Sequence, residues 1–164
     1  NRGAGPTDHA EIFTTIKKAV ATAFETPPTL VCEPGRAMVS EAFTLATRIK
    51  STPEMGAIFL NDGMYGGLAE FRDMIANERV TVIKPNGHHL CGPQSPFTAF
   101  GPTCDSLDVL PNPLHLPNTI AEGDYILFAG MGAYSTSIST AFNGYGDIET
   151  VTVKNILTEL QTGG

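Results

Sequence analysis

Four short stretches of this chain concentrate the residue types that do acid–base or anion-binding chemistry. They are Glu33-Pro34-Gly35-Arg36, then LNDGMYGGL from Leu60 to Leu68, GPTCDSLD from Gly101 to Asp108, and GMGAYSTSISTAFNGYG from Gly130 to Gly146. In the first, a carboxylate and a guanidinium share a tight turn after a short apolar run, Thr29 to Cys32. Arg36 suits bidentate capture of a phosphate, and Gly35 lets the backbone approach a ligand closely. A strand-to-loop turn closed by a local Glu33–Arg36 ion pair accounts for the same residues. In the second, Asp62-Gly63 and Gly66-Gly67 bracket Tyr65, which fits a turn that exposes the ring or a hairpin with a packed tyrosine. The third sets the thiol of Cys104 beside the carboxylate of Asp105, with Asp108 close by; it reads either as turn capping or as a pair aimed at a ligand. In the fourth, small residues around Tyr134 leave its hydroxyl room to reach a ligand oxygen, and the run through Thr140 reads as helix ending at Asn143-Gly144.

Elements must hold these stretches in place. Apolar residues Ile12, Ile16, Val20 and Ala23 recur at helical spacing behind Asp8 and Glu11, which predicts a capped helix over residues 8–24. Thr29 to Cys32 predicts a short strand leading into Glu33, so helix and strand together form one αβ step. Beyond residue 40 the pattern changes to short β-prone runs broken by Gly, Pro and Asn. These are Ala42 to Lys50, Gly56 to Leu60, Val80 to Lys84, Tyr125 to Phe128 and Ile148 to Val153, and they predict an antiparallel sheet or barrel. Residues 38–50 fit helix or strand. Pro111 to Pro117 reads as a surface loop. The expected organisation is therefore α+β, mostly β: a terminal helix–strand unit over residues 1–40 and a β domain over 41–164. One helix and one strand cannot bury themselves, so this layer needs further chain to pack against.

Composition narrows the function classes. The 164 residues suffice for one compact domain, and 10 Lys and Arg against 17 Asp and Glu give a net charge of −7. Scattered cations on an acidic chain argue against a nucleic-acid surface. No apolar run approaches the roughly 18 residues that span a bilayer, and the start NRGAGPTDHA lacks the regions of a signal peptide, so no membrane and a cytoplasmic address are expected. Cys32, Cys91 and Cys104 lack the spacing of a disulfide framework, which points to reduced thiols. His88 and His89 with Cys91 lack further ligands at metal-binding spacing, so no metal is expected.

Taken in order, EPGR, NDGMYGG, GPTCDSLD and GDYILFAGMGAY with AFNGY resemble the C-terminal part of the pyridoxal-phosphate amino-acid decarboxylases of the ornithine decarboxylase type. The resemblance runs from about Val31 to Gly146. Diaminopimelate decarboxylases are similar at EPGR and GAY but usually carry a glutamate after the cysteine; Cys104-Asp105 leans towards ornithine or another diamine-forming substrate. The resemblance implies a β/α barrel followed by a β domain, in a head-to-tail homodimer. Only the last helix and strand of the barrel, and the β domain, would lie in this chain; the barrel alone takes about 250 residues.

By position, the resemblance assigns Glu33 to the pyridine nitrogen of pyridoxal phosphate, Arg36 and Tyr134 to its phosphate, and Gly35 to the same turn. Asp105 would pair with the distal ammonium of a diamino-acid substrate, and Cys104 would direct reprotonation of the α-carbon, both in the neighbouring subunit's site. Tyr65 would line the site and Asp73 would be a second partner for the distal amine. The family's Schiff-base lysine, its glycine-rich phosphate loop and its stacking histidine have no counterpart here. The chain alone is therefore expected to be inactive. It is either a portion of a decarboxylase, partnered by the missing barrel, or a non-catalytic regulatory homologue that pairs with a full-length enzyme. A ligand-free structural β domain is a third reading.

Overall fold

In the computed structural model, residues 9–53, 56–73 and 79–153 are described, with the side chains of residues 72 and 73 excepted. Two helices, α1 (His9–Ala23) and α2 (Gly35–Val39), precede six strands. These are β1 (Thr44–Ser51), β2 (Ala57–Leu60), β3 (Val80–Ile83), β4 (Gln94–Phe100), β5 (Leu114–Pro117) and β6 (Tyr125–Ala129). Helix α1 forms where the apolar spacing predicts it, with Glu11 in the first turn, where a carboxylate favours the helix dipole. It buries none of its residues, and Ile12, Phe13 and Ile16 stay exposed. Asp8, the expected cap, lies outside the described residues.

The strand predicted at Thr29 to Cys32 does not form. Residues 27–34 carry no regular structure, and Val31 is 86% exposed. A strand needs a neighbour for its backbone N–H and C=O groups, and none of the described strands pairs with this segment.

The β domain is one six-stranded sheet in the order β3-β6-β1-β2-β4-β5. All neighbouring pairs are antiparallel except β2–β4, which is parallel. Side chains alternate as a half-buried sheet requires: Thr47 and Ile49 point inward from β1, Phe97 and Ala99 from β4, Leu114 and Leu116 from β5. Strand β6 lies between β3 and β1, and Ile126, Leu127 and Phe128 are all buried, as in a strand covered on both faces. Phe71 closes the core with its ring edge-on to Phe128 at 4.8 Å between centroids. A large apolar side chain buried as Phe128 is contributes about 2–3 kcal/mol.

Four local expectations need correction. Leu114–Pro117 is a strand, not part of a surface loop; its buried Leu114 and Leu116 sit among prolines that mask the alternation. Strand β4 went unpredicted because Pro96 interrupts it. The proline is tolerated because β4 divides its pairing: residues 94–97 pair with β5 and residues 98–100 with β2, so no N–H towards β2 is needed at position 96. Ile148 to Val153 is not a strand, and Val151 and Val153 are exposed. The run from Ala133 to Thr140 is a series of turns rather than a helix.

A part-buried ion pair holds the end of β3 to the start of β6. Lys84 Nζ donates to Asp124 Oδ2 at 2.9 Å, and the same oxygen accepts the Ala121 N–H at 2.9 Å. Asp124 is 2% exposed. Its removal leaves a cation and an N–H without their acceptor, so Asp124→Ala is expected to lose about 2–4 kcal/mol. Urea unfolding checks this as a lower midpoint at unchanged slope.

Candidate functional site

The motif LNDGMYGG folds as it does because two carboxylates occupy the space its glycines leave. Asp62 Oδ1 accepts the N–H groups of Gly63 at 2.9 Å and Gly67 at 3.2 Å, and Oδ2 accepts that of Gly67 at 3.0 Å. A Cβ on Gly66 would lie 1.8 Å from Asp62 Oδ1, and one on Gly63 2.2 Å from Asp108 Oδ1. Asp108 reaches across from the GPTCDSLD loop and is 1% exposed. Its Oδ1 accepts the Met64 N–H at 2.7 Å. Its Oδ2 accepts the Thr103 N–H at 3.1 Å and the Thr103 hydroxyl at 2.6 Å. Gly101 is required by the same carboxylate, which a Cβ there would meet at 2.2 Å.

The third loop closes on the first two. The Tyr65 carbonyl accepts from the Thr140 N–H at 2.8 Å and the Thr140 hydroxyl at 3.0 Å, while Asn143 Nδ2 donates to the Thr103 carbonyl at 2.9 Å. Phe142 stacks on the Tyr65 ring at 4.5 Å.

Two charged groups emerge from this frame. In one, the Tyr65 hydroxyl donates to Asp105 Oδ2 at 2.9 Å, and the Leu107 N–H donates to Asp105 Oδ1 at 2.8 Å. The Leu107 N–H, then the Tyr65 hydroxyl, hold the Asp105 carboxyl below the usual carboxylate range. The same hydrogen bond, followed by desolvation and the charges of Asp105 and Asp108, pushes the Tyr65 phenol up. Cys104 is exposed beside them. In the other group, the Arg36 guanidinium lies 5.2 Å from the centroid of the Tyr134 ring and pairs through Nη2 with Glu70 Oε2. Tyr134 is 55% exposed.

Among the described residues, three non-glycine residues have positive φ: Cys104 at 52°, Tyr134 at 68° and Asn143 at 53°. All three lie on these loops. The left-handed conformation costs an ordinary residue on the order of 1–2 kcal/mol, and such strain persists where surrounding contacts fix the backbone for another purpose.

The structure thus brings Tyr65 and Asp105 together, with Cys104 next to Asp105 in the chain, and Arg36 with Tyr134. Glu33 is exposed and joins neither group; Arg36 pairs with Glu70 instead of forming the local Glu33–Arg36 ion pair. Gly35 opens α2, and a Cβ there would meet nothing within 4 Å. The side chain of Asp73 lies outside the described residues. Sequence reasoning missed Glu70, Phe142 and Asn143, and gave Asp62 and Asp108 no role. Asp108 carried a signal in its closeness to Asp105 and to Gly101, whereas nothing in the sequence links Glu70 to Arg36. Among the described residues no group of His, Cys, Asp and Glu could hold a metal ion, and no helix is long and apolar enough to cross a membrane.

Comparison with known proteins decides the family. The model for "Pyridoxal-dependent decarboxylase, C-terminal sheet domain" matches residues 29–132. This chain belongs to the pyridoxal-dependent decarboxylases. The chloroplastic ornithine decarboxylase of Nicotiana glauca is 33% identical over 147 residues, covering 84% of this chain and 34% of that protein. Antizyme inhibitor 2 of Xenopus laevis is 31% identical over 134 residues, 71% of this chain and 28% of that protein. The solved lysine/ornithine decarboxylase of Vibrio vulnificus, complexed with cadaverine, superposes with a TM-score of 0.72 at 27% identity, over 94% of this chain and 42% of that one. The chain spans about a third of the length of these curated relatives.

Pyridoxal phosphate is expected in a complete decarboxylase of this family. At Arg36, a half-exposed guanidinium and a neighbouring phenol are donors that fit its phosphate end, and the Glu70 carboxylate on the same cation is an anion that a phosphate would have to displace or tolerate. The buried hydroxyl of Ser135, next to Tyr134 in the chain, has no hydrogen-bond partner among the described residues.

In this decarboxylase domain, Asp62 gives the pH dependence a distinct sign. Burial, the largest influence, raises its pKa above 3.8 despite the Gly63 and Gly67 N–H groups; the nearby Asp108 charge adds to the rise. The folded state therefore binds this proton more readily than the unfolded chain, and the Asp62 contribution to stability grows as pH falls through the folded pKa towards 3.8. Stability of wild type relative to Asp62→Asn should rise over that window in urea unfolding at stepped pH. Parallel curves would contradict it.

Proposed function

We propose that this chain is the C-terminal portion of a decarboxylase acting on ornithine or a similar diamino acid. It would supply phosphate, ring-nitrogen and substrate-tail contacts, while a β/α barrel supplies the covalent lysine. The observation that carries this reading is the pairing of a cationic group, Arg36 of α2 with Tyr134, and an anionic group, Asp105 with Tyr65, with Tyr134, Asp105 and Tyr65 all on the interlocked loops. A diamino acid bound to a phosphorylated cofactor presents the complementary charges, a phosphate and a distal ammonium.

When bound, pyridoxal phosphate supplies a sink for the electron pair left as CO2 departs. Arg36 holds the phosphate by charge and Tyr134 by a neutral hydrogen bond. Glu33 is assigned to the pyridine nitrogen, where a carboxylate favours the protonated ring. Asp105 remains ionised because two donors stabilise its carboxylate, and an ionised carboxylate is what a distal ammonium needs. Cys104, exposed next to it, helps direct reprotonation of the α-carbon of the substrate. Asp73 is a further candidate for the distal amine.

This reading takes residues 1–40 as the last αβ unit of the barrel and residues 41–164 as the sheet domain. It also takes the working enzyme as a cytoplasmic homodimer in polyamine synthesis, with Cys104 and Asp105 serving the neighbouring subunit. The apolar side of α1, where Ile12, Phe13 and Ile16 are exposed among the described residues, supports a packing partner supplied by the barrel or another chain. A second reading, a regulator that pairs with a full-length decarboxylase, is supported by the likeness to a protein named as an antizyme inhibitor.

The test is to combine the chain with a lysine-bearing barrel portion from a relative, covalently joined, and to follow CO2 release from ornithine. The decarboxylase reading expects turnover, with Asp105→Ala lowering kcat/KM by roughly 100-fold through loss of a charge-assisted contact. Binding to a full-length relative without turnover in the joined protein would favour the regulator. Equal turnover by Asp105→Ala would end the substrate-tail role.

A further inference from the structure

Arg36 is not an empty cation. Its Nη2 contacts Glu70 Oε2, the two side chains are 36% and 25% exposed, and the guanidinium lies over the Tyr134 ring. Glu70 sits in the short 3-10 turn Ala69–Asp73, thirty-four positions from Arg36 in the chain. The turn is fixed from both sides: Phe71 is buried against Phe128, and the Ala69 N–H donates to the Gly66 carbonyl at 3.3 Å. The carboxylate is therefore presented to Arg36 by packed structure rather than by a free side chain on a loose loop.

We infer that Glu70 is a built-in counter-anion that competes with a phosphoryl group for Arg36 and thereby sets the affinity of that site. The inference rests on the reading of Arg36 as the phosphate contact. A tethered carboxylate neutralises the guanidinium when no ligand is bound and keeps it stacked on Tyr134. An incoming phosphate must displace Glu70, or share the guanidinium with it and bear the repulsion between the two anions. Either way, the ligand's apparent affinity falls in proportion to the fraction of molecules in which Arg36 is free to take it. Because the pair is partly exposed, the effect is modest: removing the Glu70 charge should tighten binding roughly 3- to 10-fold.

Inorganic phosphate titrated into the full chain, read on the Arg36 Nε–Hε resonance by NMR, tests this without turnover. Arg36→Lys identifies the resonance by its loss. Glu70→Gln, and Glu70→Ala beside it, should reach half-saturation at roughly 3- to 10-fold lower phosphate than wild type. An Arg36 signal that responds to phosphate with the same or a higher midpoint in both variants would overturn the role of Glu70 and leave Arg36 as a phosphate contact. No response of Arg36 in wild type or in either variant would remove the phosphate contact itself, and the competition with it.

Discussion

The Asp108 carboxylate is the constraint on which the rest of the site depends. A buried charge is tolerated only when its oxygens are satisfied, and here the satisfying donors come from two loops, Met64 on one and Thr103 on the other. The requirement runs in both directions. The backbone must come close enough to donate, which leaves no room for a Cβ at Gly63 or Gly101. Separating the loops takes the Met64 N–H away from this carboxylate. Asp62 repeats the arrangement within its own loop, against Gly66 and Gly67. The glycine-rich motif is thus a steric consequence of two acidic side chains, and flexibility has little to do with it.

What this frame carries is a separation of charge. Asp105 is held ionised by a phenol and a backbone N–H, and Arg36 is held against Tyr134 and Glu70. Tyr134 and Cys104 bear left-handed backbone conformations that cost energy and are maintained by the surrounding loops. A sheet domain that served only to bury its own core would have no need for strain at a thiol and a phenol. On the proposed reading, these loops offer a cation to a phosphate and an anion to an ammonium.

The family motifs and the fold class were more legible in the sequence than the individual strands and side-chain contacts. EPGR, Tyr65, Cys104-Asp105 and Tyr134 were recognisable because their residue types and order are local properties of the chain. Strands with clean β-prone runs, such as Tyr125–Ala129, were legible for the same reason. Strand β4 was hidden because Pro96 argues against a strand unless the split of its pairing between β5 and β2 is known, and that is a tertiary fact. Thr29 to Cys32 failed in the opposite sense: local propensity favours a strand, but no described strand pairs with it. The Arg36–Glu70 pair was invisible because it joins distant parts of the chain through packing of the turn that carries Phe71.

The account holds that Asp108 aligns the loops so that Tyr65 meets Asp105. The most direct measurement is the titration of the Tyr65 phenol, followed by NMR in wild type and in Asp108→Asn. With the loops released, the hydrogen bond that raises this pKa should be lost and the phenol should titrate close to its ordinary value of 10.0, while amides of β1 and β6 stay protected from exchange. A Tyr65 titration that stays raised to the same degree in Asp108→Asn would contradict the account.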